Sequence, residues 1–278
     1  IEEGLSNRRI FSIQKDAEGY MWFLTNEGMD RYNGKDIKHY RLNKDDNSLE
    51  SPIHLGWIYT NPHIGTWVIG KQGRVFQYER KYDDFKLVYK LPNSLETISY
   101  GYMDRNNNIW LCRKHSILLY NTENAQILQF TNILHSNITA IEQVDDHHFF
   151  ISTETGVRYL KLENGTLKII PAETLDYFHV QVNELYYHQA SKRLLIGSFE
   201  RGLFVYDMNN REIIKPEVDL SDVSITCMAP LDESQLLIST EGMGVYKINI
   251  NTCQMEQYIV ANYQSYNAVS YTHIRAHE

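Results

Sequence analysis

The feature that most constrains the fold is a motif that recurs six times along the 278 residues. In its clearest copy, residues 16–32, a turn leads into an apolar strand, a short polar loop ends in glycine, and a second strand ends in tyrosine. A large apolar anchor recurs in the first of these strands, at Trp22, Trp67, Trp110, Phe150, Leu195 and Leu237. An internal repeat of this kind predicts a chain built from one supersecondary unit.

The loop residue and the tyrosine of the motif recur as well. The loop residue is Gly28, Gly73, Ser116, Gly156, Gly202 and Gly242, and the tyrosine is Tyr32, Tyr78, Tyr120, Tyr159, Tyr206 and Tyr246. The two are four residues apart in four copies, and the second and fourth copies slip by one. We therefore interpret the tyrosines as one repeated position.

Each copy contains four short segments rich in Val, Ile, Tyr and Phe, which indicate strands. In the first copy they are Ile10–Gln14, Tyr20–Thr25, Met29–Tyr32 and Ile37–Tyr40, and in the last copy they are Ile225–Pro230, Gln235–Ser239, Gly244–Ile248 and Met255–Tyr258. Asn33-Gly34 and Asn164-Gly165 predict two-residue hairpin turns, because both residue types tolerate positive φ. No segment shows a capped 3.6-residue apolar period, so helix should be scarce.

Four-stranded units repeated every 40–45 residues or so are typical of a β-propeller. One blade alone cannot bury both faces of its sheet, and packing blade against blade solves this, with the anchor filling the wedge between neighbours. The sequence thus predicts an all-β propeller over residues 1–268. Its six four-stranded blades cover approximately residues 1–42, 51–91, 97–131, 136–171, 180–215 and 223–260.

The two ends of the sequence suggest a seventh blade. Residues 1–6 resemble the tail of a strand that enters the first blade, and residues 261–268 resemble a linker into a further one. We therefore expect a seven-bladed ring. Residues 269–278 do not fit the repeat and resemble a translated sequencing adapter, so we interpret them as a non-native tail.

Composition narrows the possible functions. The 35 acidic residues outnumber the 27 Lys and Arg residues, which are scattered, and this argues against nucleic-acid binding. The three cysteines, an odd number without close spacing, predict small buried side chains rather than disulfides or a zinc site. We interpret His147-His148, which follow Asp145-Asp146, as a solvated turn rather than a metal site. With no catalytic motif present, we predict no catalytic residue, metal or cofactor.

The opening segment resembles a known repeat family, the two-component-regulator propeller repeat. The family pattern runs Gly-Leu-Ser, an apolar strand, Asp-x-x-Gly, aromatic-Trp, Thr-x-x-Gly-Leu and Arg-Tyr. The matching residues are Gly4-Leu5-Ser6, Ile10–Ile13, Asp16, Gly19, Met21-Trp22-Phe23, Thr25, Gly28, Arg31-Tyr32 and Asn33-Gly34. Met29 stands where Leu is usual, and the later copies are degenerate.

This resemblance implies the N-terminal propeller of the periplasmic sensor region of a hybrid two-component system that controls glycan use. It implies a non-catalytic role in sensing an oligosaccharide or other small ligand, within a homodimer. It also implies a second propeller in the same chain. Membrane contact, through an inner-membrane anchor, and the histidine kinase would then lie in downstream segments.

Propeller ligands usually bind to the loops that join the second strand to the third and one blade to the next. Our candidate ligand-binding residues on these loops are Arg8, Arg9, Lys71, His115, Glu200 and Arg201, with Asn7, Asn26, Glu27, Gln72 and Lys114 in the same region. Two alternatives remain open. The first is a secreted propeller enzyme, such as a lyase or glycoside hydrolase, which needs convergent acidic residues. The second is a protein-binding scaffold of the WD type, which would carry Gly-His and Trp-Asp signatures that are missing here.

Overall fold

A computed structural model describes residues 4–42, 55–92 and 97–260. This part of the chain is an all-β propeller fold with six four-stranded antiparallel blades, which confirms the predicted fold class. Residues 261–278, which include the suspected non-native tail, lie outside the described residues. The seventh blade therefore stays a prediction.

In every blade the four strands lie side by side in chain order. The strands of the first three blades are β1 (Ile10–Lys15), β2 (Met21–Thr25), β3 (Gly28–Tyr32), β4 (Ile37–Tyr40), β5 (Leu55–Asn61), β6 (Gly65–Gly70), β7 (Arg74–Glu79), β8 (Asp84–Lys90), β9 (Tyr100–Met103), β10 (Asn108–Arg113), β11 (Ser116–Asn121) and β12 (Ile127–Thr131). The strands predicted for the first blade agree with β1–β4 to within one residue at each end.

The other three blades are built in the same way. Their elements are β13 (Ile138–Gln143), β14 (His148–Thr153), β15 (Gly156–Glu163), β16 (Thr166–Ile170), α1 (Glu173–Asp176), β17 (Val182–His188), β18 (Arg193–Ser198), β19 (Leu203–Asp207), β20 (Glu212–Ile214), β21 (Ile225–Pro230), β22 (Gln235–Thr240), β23 (Gly244–Asn249) and β24 (Met255–Ile259). Within the three described ranges, α1 is the only helix, and it has four residues.

The two predicted hairpin turns had different outcomes. Asn164-Gly165 is a two-residue turn, because Glu163 pairs with Thr166 and both turn residues have positive φ, 50° and 70°. The prediction for Asn33-Gly34 was wrong. There the side-chain oxygen of Asn33 accepts the backbone N–H groups of residues 35 and 36 at 2.8 and 2.7 Å, which widens the connection to a four-residue loop.

The aspartate of the repeat builds the turn before the anchor strand. The Asp16 carboxylate accepts the backbone N–H groups of Glu18 and Tyr20, at 3.0 and 2.9 Å, and the indole N–H of Trp22 at 2.7 Å. Asp104 repeats this arrangement in the third blade, with the Trp110 indole at 2.9 Å. The carboxylate thus satisfies donors that the turn would otherwise leave unpaired, and it orients the buried tryptophan.

The contacts divide the described residues into two units, one formed by residues 4–113 and 117–127 and the other by residues 114–116 and 128–260. In the first unit, two anchors pack against the blade that follows. Trp22 lies in one apolar cluster with Ile58 and Val68 of the second blade, and Trp67 lies in another with Ile109 of the third blade. The prediction that anchors fill the wedges between blades is confirmed for Trp22 and Trp67.

In the second unit, the Phe150 ring lies 5.9 Å from that of Tyr187 in the fifth blade, and Leu195 clusters with Ile238 of the sixth blade. Both anchors are buried. Leu237, the sixth anchor, is only half-buried. Its position on the strand is equivalent, but the described residues include no sheet after β24 to cover that flank.

The repeated tyrosines do not occupy one structural position, so that interpretation was wrong. Tyr159 pairs with the anchor Phe150 itself, whereas Tyr206 pairs with Leu194, one residue before the anchor of its blade. Because side chains alternate along a strand, a slip of one residue turns a side chain to the opposite face of the sheet. Tyr159 therefore faces the following blade, and Tyr206 faces the preceding one, 6.3 Å from Phe150.

Candidate functional site

At three of the loop glycines, Gly28, Gly156 and Gly202, the segment that leads to the next blade crosses directly over the glycine. Gly28 has φ +140°, and a Cβ there would lie 2.3 Å from the carbonyl oxygen of Tyr40. Gly202 has φ +70°, and its Cβ would lie 2.5 Å from the carbonyl oxygen of Leu220. The loop after the second strand of a blade thus contacts the segment that connects this blade to the next. We call these two kinds of segment the loop region, and the candidate ligand-binding residues lie on it.

Ser6 fixes the segment that enters the first blade. Its hydroxyl and backbone N–H both donate to the Asp30 carboxylate at 2.8 Å, and Asp30 is fully buried. The serine of the Gly-Leu-Ser pattern therefore has a structural role. It positions the following residues, Arg8 and Arg9, whose side chains are exposed. The Arg9 guanidinium lies 5.0 Å from the centre of the Phe11 ring.

Lys71 is the third candidate residue in the first unit. Its carbonyl accepts the N–H of Ile98 at 2.6 Å, so the loop backbone is held by the segment that enters the third blade. The Lys71 side chain is exposed.

The other candidate residues lie in the second unit, where His115, Glu200 and Arg201 are all exposed. The loop that carries Glu200 is fixed from both sides. The backbone N–H of Glu200 donates to the Ser224 hydroxyl at 3.2 Å, and the N–H of Phe199 donates to the carbonyl of Gln181 at 2.9 Å. Glu200 and Arg201 thus project from a rigid backbone next to the segment entering the sixth blade.

Two exposed aromatic side chains in this loop region were missed by the sequence reasoning. Phe199 is 40% exposed and precedes Glu200 directly, while Tyr177, at the end of α1, is 82% exposed. The sequence signal that identifies them is an aromatic residue in a loop, outside the repeated positions. Exposed aromatic faces beside charged hydrogen-bonding groups are suited to binding a polar ring-shaped ligand.

The predicted turn at His147-His148 is also visible. The Asp145 carboxylate accepts both histidine N–H groups at 2.9 Å and contacts the His148 ring nitrogen Nδ1 at 2.8 Å. In the described ranges, no three His, Cys, Asp or Glu side chains come together as a metal-binding group. The three cysteines are buried with free thiols, as predicted.

The most strongly perturbed charges of the first unit lie in the wedge between the first two blades. Asp83 Oδ1 accepts hydrogen bonds from the hydroxyls of Tyr78 and Tyr40, at 2.6 and 2.7 Å, and from the Arg31 guanidinium at 2.9 Å. Lys38 donates to the other carboxylate oxygen. Arg31 in turn stacks on the ring of Tyr20, 4.6 Å from its centre.

These contacts set the ionisation of the wedge. Burial alone raises the pKa of Asp83, but the hydrogen bonds from Lys38, Tyr78 and Tyr40 and the charge of Arg31 outweigh it, so the pKa lies well below its ordinary value. Burial also raises the pKa of Tyr40 and Tyr78, and both stay protonated as donors. At neutral pH, Asp83 therefore stays ionised and paired with Arg31 and Lys38, beside the aromatic rings that fill the wedge.

Comparison with known proteins supports the family resemblance. Residues 4–27 match the family model of the two component regulator propeller. This segment contains Ser6, Asp16 and Trp22, whose contacts are described above. No curated protein sequence matches the chain.

Solved structures show the same fold. The extracellular domain of BT3049 from B. thetaiotaomicron, described as a hybrid two component system, aligns with 94% of this chain at a TM-score of 0.72 and 20% identity. The extracellular domain of BT4673 from the same organism aligns with 96% of this chain at a TM-score of 0.69 and 17% identity. The chain spans 36% and 35% of these structures, about a third of their length.

The yeast protein Sqt1 (Saccharomyces cerevisiae) aligns with 89% of the chain and 72% of its own, at a TM-score of 0.65 and 15% identity. The fold alone therefore does not select a function. None of the helices in the described part of the chain is long and apolar enough to cross a membrane.

Proposed function

We propose that this chain is a ligand-sensing, non-catalytic propeller from the periplasmic region of a hybrid two-component sensor kinase that regulates carbohydrate use. The observation that carries the proposal is the match of residues 4–27 to the two component regulator propeller. The likeness of nearly the whole chain to extracellular domains described as parts of hybrid two component systems supports an extracytoplasmic location.

The ligand contacts the loop region, and we propose an oligosaccharide. Phe199 offers an exposed ring for a sugar face, and Glu200 and Arg201 offer an acceptor and donors for sugar hydroxyls on a backbone that is already ordered. A preorganised site loses less entropy when the ligand binds. Arg8, Arg9, Lys71 and His115 are the remaining residues of this proposed binding region.

Titration calorimetry of the purified chain with a panel of plant and host oligosaccharides tests the binding role. We expect Phe199→Ala and Arg201→Gln each to weaken binding about tenfold, because each removes a ring contact or a charged donor. Lys168→Gln, an exposed change on strand β16, serves as the matched control. Product analysis after long incubation addresses the enzyme alternative, since any cleavage of the glycans contradicts a non-catalytic role.

DNA sequencing tests the proposed segments that lie outside this chain. We propose that the full protein is a homodimer with a second propeller in the same chain, followed by a membrane helix and a histidine kinase. Reading the locus downstream of the codon for Ala268 should show a frame that continues into these segments. A frame that ends after a single propeller would remove the basis of the sensor proposal, and a secreted enzyme or binding protein would then be the better account.

A further inference from the structure

A cavity of about 280 Å³ lies in the second unit, between the fourth and fifth blades. Three aromatic rings, of Phe150, Tyr159 and Tyr206, form part of its wall, and aliphatic atoms of Ile170 and Met208 line it as well. Arg211, an exposed residue, completes the lining. Ligand pockets for drug-sized molecules start near 300 Å³, so this cavity is suited to a single ring with its substituents.

The cavity occupies the same place in its repeat as the Asp83 cluster does in the first unit. Tyr159 stands where Arg31 stands, because each pairs with the anchor of its blade, Phe150 or Trp22. Tyr206 corresponds to Tyr78, because each lies in the second residue pair from the hairpin between the third and fourth strands, opposite Ile213 or Phe85.

The hairpin residues correspond as well. Arg211 corresponds to Asp83, since each directly precedes the fourth strand of its blade and has positive φ, 57° and 49°. The second wedge therefore has a base, Arg211, where the first has the acid Asp83, and a tyrosine, Tyr159, where the first has Arg31.

This exchange leaves donors without the acceptor that the first wedge contains. In the first wedge the Asp83 carboxylate accepts hydrogen bonds from two phenols and a guanidinium. Around the second wedge, the described residues provide no ion pair for the Arg211 side chain and no hydrogen bond for the hydroxyls of Tyr159 and Tyr206. Among the side chains that the structure describes, none of those lining the cavity is acidic.

The described acids whose charges act on the two tyrosines have other partners. The Asp176 carboxylate accepts the backbone N–H of Ala172 at 3.0 Å, Asp145 is bound to His148, and Asp207 pairs with Arg193. Burial raises the pKa of Tyr159 to about 12 and also raises the pKa of Tyr206. Both phenols are thus protonated at neutral pH and present O–H donors, together with the positive charge of Arg211.

We propose that this cavity binds a small molecule with a carboxylate on a single six-membered ring. The carboxylate takes the role of the Asp83 carboxylate in the first wedge and accepts hydrogen bonds from Arg211 and the two tyrosines. The ring lies against Phe150 and the apolar wall. Guanidinium and phenol groups together form strong charge-assisted hydrogen bonds to carboxylates. None of the candidate ligand-binding residues lines this cavity, and the inference does not rest on the proposed function.

Saturation-transfer NMR and calorimetry with three probes test the proposal: benzoate, glucuronate and the neutral benzamide. We expect at least one carboxylate to bind the wild-type chain, and benzamide to bind about tenfold more weakly than benzoate, because it lacks the charge. Binding of benzoate identifies an aromatic acid as the ligand type, and binding of glucuronate identifies a sugar acid. If neither carboxylate binds, the proposal is wrong.

Variants separate this site from the loop region. Arg211→Gln should weaken carboxylate binding about tenfold and Tyr159→Phe about threefold, whereas Arg201→Gln should leave it unchanged. Thermal unfolding of each variant verifies the fold, and Tyr159→Phe keeps the ring and its packing if Arg211→Gln disturbs the hairpin. Unchanged affinity in both Arg211→Gln and Tyr159→Phe would assign the binding to another surface and overturn the proposal.

Discussion

Asp104 is the residue at which the repeated turn can be tested most directly. It is 2% exposed, and its carboxylate accepts the backbone N–H groups of Asn106 and Asn108, at 2.9 and 2.8 Å, and the indole N–H of Trp110 at 2.9 Å. Asp104→Asn retains one acceptor oxygen but places an amide NH₂ group where the second oxygen was. One of these buried donors must then lose its partner.

The expected cost follows from the burial of the site. A buried donor left unsatisfied costs about 1–3 kcal/mol, and hydrogen bonds to a charged acceptor are at the upper end of that range. Asp104→Asn should therefore destabilise the fold by about 3 kcal/mol. Trp110→Phe removes the indole donor itself, so in that background Asp104→Asn should cost about 1.5 kcal/mol less, since the two changes act on the same contact.

Urea unfolding followed by circular dichroism, on the two single variants and the double variant, measures this coupling. Asp232→Asn is the control, because Asp232 forms the same type of turn with Ser234 and Gln235 but is exposed and binds no tryptophan. It should give a smaller loss. If Asp104→Asn costs the same with and without the indole, or no more than Asp232→Asn, the reasoning about the turn is refuted.

Three further predictions follow from single residues. The pKa of Asp83 in the folded chain lies below its unfolded value, so its stabilising contribution is complete above about pH 4 and is lost as the pH falls through the folded pKa. Asp83→Asn should therefore make Tm decline less steeply in acid, and an unchanged slope would contradict this. Gly202→Ala should lower Tm more than Gly19→Ala, because both have positive φ but only Gly202 has a backbone oxygen, of Leu220, within 2.5 Å of the new Cβ; equal losses would exclude the crossing segment as the cause. Burial raises the pKa of the Cys112 thiol, so iodoacetamide should label it only after unfolding, and rapid labelling of the native chain, read by mass spectrometry of the peptide, would show that the site opens.

Much of the fold was predictable because the repeat encodes local chemistry. Asp16 and Trp22 bond to each other within one turn and strand, and Gly28 meets the crossing segment of its own blade. The contact between carboxylate and indole recurs at the same offset for Asp104 and Trp110, and the crossing segment recurs at Gly156 and Gly202, so both are visible as a pattern. The strand bounds of the first blade, where the pattern is clearest, accordingly agreed to within one residue.

What lay beyond prediction depends on register. The connection between the second and third strands differs in length among the blades, since Thr153 pairs with Gly156 in the fourth blade but Gly197 pairs with Leu203 in the fifth. A column of tyrosines in the sequence is therefore not a column in space. The repeated tyrosine failed as an interpretation for this reason. Likewise, Arg31 and Asp83 are 52 residues apart, and no offset in the sequence announces their hydrogen bond.

The candidate site was predictable only to the level of loops. Strand order places the loops after the second strands beside the segments that enter the next blades, and this much follows from the repeat. The exposed Tyr177 side chain lies at the end of α1, and the exposed Phe199 side chain lies in the loop after β18, and neither occupies a repeated position. Features that occur once in six copies carry no periodic signal.

Two substitutions should convert the wedge between the fourth and fifth blades into a copy of the Asp83 wedge. If the cavity between the fourth and fifth blades is an opened version of the Asp83 wedge, then Tyr159→Arg together with Arg211→Asp should rebuild the ion pair there. Tyr159→Arg alone places two cations in one wedge, and Arg211→Asp alone places the acid beside phenols without a cation.

We expect Tyr159→Arg and the double variant to differ most in stability. The coupling between the two changes should be about 1 kcal/mol in favour of the double variant, a modest value because the Asp83 side chain in the natural pair is 41% exposed and partly screened by water. Thermal unfolding of the four proteins gives the coupling, and it should fall in 1 M salt. The rebuilt acid also supplies the acceptor that the ligand carboxylate would provide, so benzoate and glucuronate should no longer bind. A double variant without coupling would mean that Arg211 and Asp83 are equivalent in the sequence repeat but not in space.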